Sequence, residues 1–183
     1  FNRSVSCDPV SYFGGIVGFN GLVNVKLANI LIKPFLECIV APDYDSKSLD
    51  IFKTKKNLRI IKINDNYRPS KHTIKNALGG FIFQDIDSYK INLDSCEVVT
   101  KKKPSKKVRD AMKLGWKLIK YVKSNAIIFV NDKQLLGVGA GQMSRVDSVK
   151  IAIRKVEESG LSLDDAIMVS DAFFPFSDSL EIA

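Results

Sequence analysis

The nine residues Gly137-Val138-Gly139-Ala140-Gly141-Gln142-Met143-Ser144-Arg145 carry the chain's densest chemical pattern. Glycines at alternate positions, then a polar pair, a serine and an arginine, lead directly into helix-periodic residues. Glycine admits close backbone approach, and the free N–H groups and dipole of a helix N-terminus favour an anion. The stretch therefore reads as the floor of an anion or nucleotide-like site, with Ser124-Asn125-Ala126 just before it. A second candidate wall is Asp171-Ala172-Phe173-Phe174-Pro175-Phe176. An acidic residue, aromatics and a proline after a strand suit stacking against a ligand at the strand's carboxyl end. Three phenylalanines would equally serve as a hydrophobic plug against the core.

The elements that must position these residues follow from periodicity. Ser144 and Asp147 have capping-box spacing, and Val146, Val149, Ile153 and Val156 form the apolar stripe of a helix that Gly160 ends. Strands are expected over 126–130, 135–138 and 166–170, with 131–134 as a hairpin turn between the first two. Val108, Ala111, Met112, Gly115, Leu118, Ile119 and Val122 recur at helical steps and predict a helix of about four turns from Lys106, with Trp116 in the core. Nearer the start, Gly14-Gly15 leads into a strand over 16–19 and Asn24 caps a helix that stops near Pro34. A buried strand over 37–41, a helix over about 46–55 and a strand over 58–63 follow. Alternating strands and helices predict an α/β layered domain with parallel connections. Residues 64–77 are polar, contain Pro69 and read as a loop or meander, with another strand over 79–84.

Composition narrows the class. With 183 residues, 45% hydrophobic and 26% charged, the chain can bury one real core or two small ones, which excludes disordered and collagen-like classes. No apolar run approaches the roughly 20 residues that span a bilayer, and Phe1-Asn2-Arg3 shows no leader pattern, so a cytoplasmic protein without membrane contact is expected. Cys7, Cys38 and Cys96 are far apart and outside any CxxC, which predicts reduced, partly buried thiols rather than disulfides or zinc. His72, the single histidine, lies in the polar segment with no metal-ligand spacing around it.

A formal net charge of +8 with Lys101, Lys102, Lys103, Lys106 and Lys107 together raises the alternative of a basic polyanion-binding module without catalysis. No aromatic residues interleave there to stack bases, so a solvated turn and helix start around Pro104 accounts for the lysines better and no nucleic-acid partner is expected.

Five motifs taken in order resemble one family: DPVSYFGGIVGFN (8–20), ECIVAPDY (37–44), VKSNAIIF (122–129), GVGAGQMSRVDS (137–148) and SDAFFPFSD (170–178). They resemble the transformylase domain of the bifunctional purine-biosynthesis enzyme AICAR transformylase/IMP cyclohydrolase, across essentially the whole chain. The resemblance implies a cytidine-deaminase-like layered α/β fold, with mixed sheet and flanking helices and without zinc. Residues of about 1–100 would form a first deaminase-like portion and about 101–183 an incomplete second one.

It further implies formyl transfer from 10-formyltetrahydrofolate, as co-substrate, to AICAR ribonucleotide, giving FAICAR, with no metal in the chemistry. By resemblance, Asn125 contacts the carboxamide or formyl oxygen and Arg145 lies by the folate. Phe173 touches the nucleotide base through its backbone, Phe13 and Gly14 lie near AICAR, Glu37 holds an acidic position there, and Asp178 is the folate-side acid. The family's Lys-His pair would lie upstream of Phe1, and a phosphate-holding segment beyond Ala183. The isolated chain is therefore expected to be inactive, and a homodimer is expected of the full-length protein. Ser177 departs from the arginine usual in SDAFFPFRD, which puts the charge pairing of Asp178 in question.

Overall fold

The computed structural model describes residues 1–64 and 66–183. The chain divides into two compact units, residues 11–90 and residues 1–10 with 91–183. The first element, α1 (Asn2–Ser6), belongs to the second of these.

In the unit of residues 11–90, β1 (Gly15–Gly18), α2 (Val25–Leu31), β2 (Leu36–Ala41), α3 (Ser46–Phe52) and β3 (Arg59–Lys62) alternate as expected. The strands form a parallel sheet in the order β1-β2-β3, with Val17 opposite Ile39 and Ile39 opposite Ile60. Parallel neighbours need crossovers, and α2 and α3 supply them. The Asn24 side chain accepts the Leu27 N–H at 3.0 Å, so the N-cap read from sequence is made, and the helix ends before Pro34. Val23, Leu31, Ile39 and Phe52 are buried beneath these elements.

The Tyr44 hydroxyl lies 2.9 Å from the carbonyl oxygens of both Ile39 and Ile61, tying β2 to the end of β3. Burial, followed by the neighbouring Cys38, pushes this phenol up to about 12.

One expectation fails here. Residues 72–77 form β4 (His72–Ala77), which pairs antiparallel with β5 (Gly80–Asp85), rather than a loop or meander. The remainder of that loop includes Asp65, which lies outside the described residues. The turn is made by Leu78 and Gly79, both at positive φ (22° and 83°). A leucine there is uncommon, and β4 lacks the apolar alternation that marks a strand, so pairing alone makes it one.

In the other unit, α4 (Lys106–Ile119), β6 (Ile127–Val130), β7 (Leu135–Gly139), α5 (Arg145–Glu158), β8 (Ile167–Ser170) and α6 (Asp178–Ile182) follow a short 3-10 turn over Leu93–Ser95. The sheet order is β7-β6-β8 and both pairings are antiparallel. All four residues of β6 are buried, and the period-2 alternation divides them. Ile127 and Phe129 pack with Leu136, Val149, Ala152 and Val156, the side of α5. Ile128 and Val130 pack with Ala111, Ile119 and Ala126, the side of α4. Burying each such Ile or Val fully contributes about 1.5–3 kcal/mol before the entropy cost of ordering it.

The α4 helix turns its Ala111, Gly115 and Ile119 line inward. Trp116 stands one residue round from that line and is 45% exposed, so the expectation of a core tryptophan is corrected. Cys38 is buried and Cys7 half-buried as expected, whereas Cys96, also a free thiol, is exposed. The first ten residues join this unit through Ser6 Oγ, which accepts from Gln134 Nε2 (3.2 Å), and the Cys7 carbonyl, which accepts from Ser159 Oγ (3.1 Å). No helix among the described residues is long and apolar enough to cross a membrane.

Candidate functional site

The glycine stretch is built for packing. A Cβ at Gly139 would stand 1.9 Å from the Ser148 carbonyl oxygen, and one at Gly137 would stand 2.3 Å from that of Ala152. These two glycines share one face of β7, and their bareness lets α5 lie directly on the strand. The expectation that these glycines floor an anion or nucleotide-like site is corrected for Gly137 and Gly139: the close backbone approach they allow is between strand and helix. Gly141, at φ 67°, turns the chain away before α5 begins. Ser144 is the N-cap residue in extended conformation, but its side chain makes no capping bond, so the capping-box spacing places the residue without forming the box.

The α5 helix delivers Arg145 and Ser148 to the end of β6. Arg145 Nη2 donates to Asn125 Oδ1 at 3.0 Å, and Nη1 donates to Ser170 Oγ at 2.9 Å and to Asp171 Oδ1. Ser148 Oγ donates to the Asn125 carbonyl at 2.7 Å. Asn125 Nδ2 donates to the carbonyls of Gln142 and Met143, each at 3.0 Å. Both of its amide hydrogens are therefore engaged with the main chain, and Oδ1 faces the guanidinium. The peptide between Ser124 and Asn125 is cis.

Asp171, directly after β8, also accepts from Ser124 Oγ and from the Ala126 N–H (3.1 Å). Burial pushes its carboxyl up, but the bonds from Ser124, Arg145 and Ala126 and the guanidinium charge outweigh that and hold it below the usual carboxylate range. Arg145 and Asp171 are mostly buried, with side chains 13% and 17% exposed.

In the following segment the plug reading holds for one phenylalanine and not for the other two. Phe174 packs against the Ile127 and Phe129 cluster, whereas Phe173 and Phe176 are 81% and 73% exposed. Met143, whose carbonyl meets Asn125, is itself fully exposed. Asp178 opens α6 and accepts the Ser179 N–H at 2.7 Å. Ser177, in the place of the expected arginine, donates to Glu181 Oε1 at 2.5 Å. The structure thus joins Asn125 to Arg145 directly and leaves Phe173 and Asp178 outside their hydrogen-bonded network.

Phe13, Gly14 and Glu37 fall in the unit of residues 11–90 and form a second cluster. Gly14, at φ 73°, donates its N–H to the Phe35 carbonyl (3.0 Å). Phe13, 75% exposed, tilts over the Phe35 ring at 4.9 Å between centroids. Glu37 projects from β2 beside Gly14 and pairs with Arg59 at 3.4 Å.

Among the described residues, no group of three His, Cys, Asp or Glu could hold a metal ion. The 101–107 lysines are partly neutralised, Lys107 by Asp165 (2.7 Å) and Lys106 by Asp110 (3.9 Å). The sequence left Asp171 as an unassigned acidic residue and gave no sign of its ties to Ser124, Ala126 and Arg145, which only strand pairing brings together.

Comparison with known proteins gives the family. The family model described as AICARFT/IMPCHase bienzyme matches residues 1–155. The chain is 44% identical over 185 aligned positions to the bifunctional purine biosynthesis protein PurH of Prochlorococcus marinus (strain MIT 9515), covering all of this chain and 35% of that protein. It is 42% identical to the PurH of Aquifex aeolicus (strain VF5) over 184 positions, again covering all of this chain and 35% of that protein. With the PurH of Thermoanaerobacter sp. (strain X514), identity is 40% over 181 positions, covering 99% of this chain and 35% of the relative. The chain spans about a third of the length of these relatives. With the family model matching most of the chain, it belongs to the AICARFT/IMPCHase family.

Proposed function

We propose that this chain forms nucleotide- and folate-facing walls of an AICAR transformylase domain in de novo purine biosynthesis, within a cytoplasmic, homodimeric protein whose other domain is IMP cyclohydrolase. The two compact units would be its two cytidine-deaminase-like portions. Family membership together with the Asn125–Arg145 network carries this reading.

In the reaction the 5-amino group of AICAR ribonucleotide attacks the formyl carbon of 10-formyltetrahydrofolate. The carbonyl oxygen takes up charge, the bond to N10 breaks, and the amine proton ends on the departing nitrogen, giving FAICAR and tetrahydrofolate. The amine is conjugated to the ring and its amide, so orientation and oxyanion stabilisation must supply much of the rate.

Asn125 suits the second task through exchange. Giving up its bond to the exposed Met143 carbonyl for a substrate carbonyl exchanges one neutral hydrogen bond for another. Once that oxygen becomes anionic, the same N–H makes a bond roughly twice as strong as a neutral one, so the gain falls on the transition state. Arg145 and Asp178 would face the folate, and Phe13, Gly14, Glu37 and the Phe173 backbone the nucleotide. The proton shuttle, a Lys-His pair, would lie upstream of Phe1.

Tetrahydrofolate release from the longer protein that contains this chain, supplied with AICAR and 10-formyltetrahydrofolate, tests the proposal. Asn125→Ala is expected to lower kcat about 100-fold or more, as loss of an oxyanion donor does. An unchanged rate in a folded variant removes Asn125 from the chemistry. The isolated 183-residue chain should release no tetrahydrofolate, and turnover by it would place the acid/base within these residues.

A further inference from the structure

Asp171 is the residue on which the geometry around Asn125 converges. Its carboxylate accepts from Ser124 Oγ on one side of Asn125 and from the Ala126 N–H on the other. Its own N–H donates to the Ala126 carbonyl at 3.3 Å, so main chain and side chain fix the same neighbour. The same carboxylate is the counter-ion of Arg145, whose second nitrogen binds Asn125 Oδ1. That guanidinium contact dictates which end of the Asn125 amide is oxygen, and hence where its two N–H donors point.

We propose that Asp171 is a positioning residue for formyl transfer, holding the Asn125 amide in its donating orientation through Arg145, Ser124 and Ala126. The inference rests on the proposed function, since it assigns Asp171 a part in that same site. Asp171 is assigned no contact with a reacting atom: its effect on kcat passes through Asn125, whereas any disturbance of the folate-facing Arg145 it pairs with would appear in the KM for 10-formyltetrahydrofolate. An asparagine in its place would keep the size but turn an NH2 toward groups that themselves donate, leaving a mostly buried guanidinium without its counter-ion.

The test uses the longer protein. Asp171→Asn is expected to lower kcat for formyl transfer about tenfold while the KM for AICAR moves less than about twofold, as small misorientation of a catalytic donor predicts. In an Asn125→Ala background the same change should add less than about twofold, because the residue it acts through is gone. A merely structural Asp171 would cost the same factor in both backgrounds, and that additive result overturns the proposal. So does a folded Asp171→Asn protein whose kcat stays within about twofold of wild type.

If Asp171→Asn does not fold, Ser124→Ala removes one bond to the carboxylate and keeps the ion pair. An about threefold kcat loss that vanishes in the Asn125→Ala background supports the proposal, and an unchanged kcat overturns it. A wild-type protein without formyl transfer takes down the functional reading and this inference with it, whereas an active wild type beside an unaffected Asp171→Asn takes down this inference alone.

Discussion

Gly139→Ala should damage the protein far more than the addition of one methyl group suggests. The new Cβ would stand 1.9 Å from the Ser148 carbonyl oxygen and 2.6 Å from its carbon. Ordinary contact begins at 3.4 Å, so α5 would have to retreat by about 1.5 Å from a neighbour that is backbone and cannot rotate aside. Gaps of about 0.5–1 Å already forfeit a quarter to a half of a dispersion contact, and Val149, Ala152 and Val156 would all lose theirs to β6 and β7. Overpacking of this kind costs about 1–3 kcal/mol, and a backbone clash falls at the upper end. In a chain of this size, about 3 kcal/mol lowers Tm by roughly 6–12 °C. Trp116, the single tryptophan, lies in the same unit, so its fluorescence on heating reports the loss where it occurs. Gly21→Ala is the control, because nothing lies within 4 Å of its Cβ and its φ is permissive. It should leave Tm unchanged or raise it slightly. A Gly139→Ala chain that melts within a degree or so of wild type would refute the account of α5 seated directly on β7.

The Tyr44 phenol should ionise late. Its pKa is raised in the folded state to about 12, so its contribution to stability is complete below the ordinary value near 10 and is lost as pH rises through about 12. Tyrosinate absorbance during alkaline titration should show one late step, absent in Tyr44→Phe, and that variant should lose about 1 kcal/mol in urea denaturation with its hydroxyl bonds to Ile39 and Ile61. Ser105→Ala removes the acceptor of the Val108 N–H at the start of α4 and should cost about 1 kcal/mol by the same measurement.

Features set by neighbours along the chain were legible in the residues alone. Asn24 announces α2, Pro34 limits it, and the 111, 115 and 119 spacing marks the buried line of α4. Features set by partners distant in sequence were not. β4 exists because β5 pairs with it, and Trp116 lies outside the core because the inward line of α4 passes one residue to its side. The site divides in the same way. Asn125 and Arg145 stood out through their motifs, but the Asp171 carboxylate acquires its role only when β8 is laid antiparallel against β6. The Gly137–Arg145 stretch reads from its residues as an anion floor that packing alone does not explain, and from the family resemblance as a folate- and base-side loop whose glycines serve close backbone approach; the contacts of Gly137 and Gly139 with the α5 backbone show that packing does account for these two.

The seating of α5 on Gly137 and Gly139 also bears on how loss-of-function phenotypes in this protein should be interpreted. Arg145 and Ser148 ride on the helix that those glycines admit, so a side chain at either position would move both from Asn125 without removing any polar group. On the proposed function, a mutational screen scored by growth without purines would rank the two glycines beside Asn125 and mistake them for ligand contacts. Scoring protein abundance in parallel would separate them: the glycine variants should be lost with the fold, whereas Asn125→Ala should persist as folded, inactive protein.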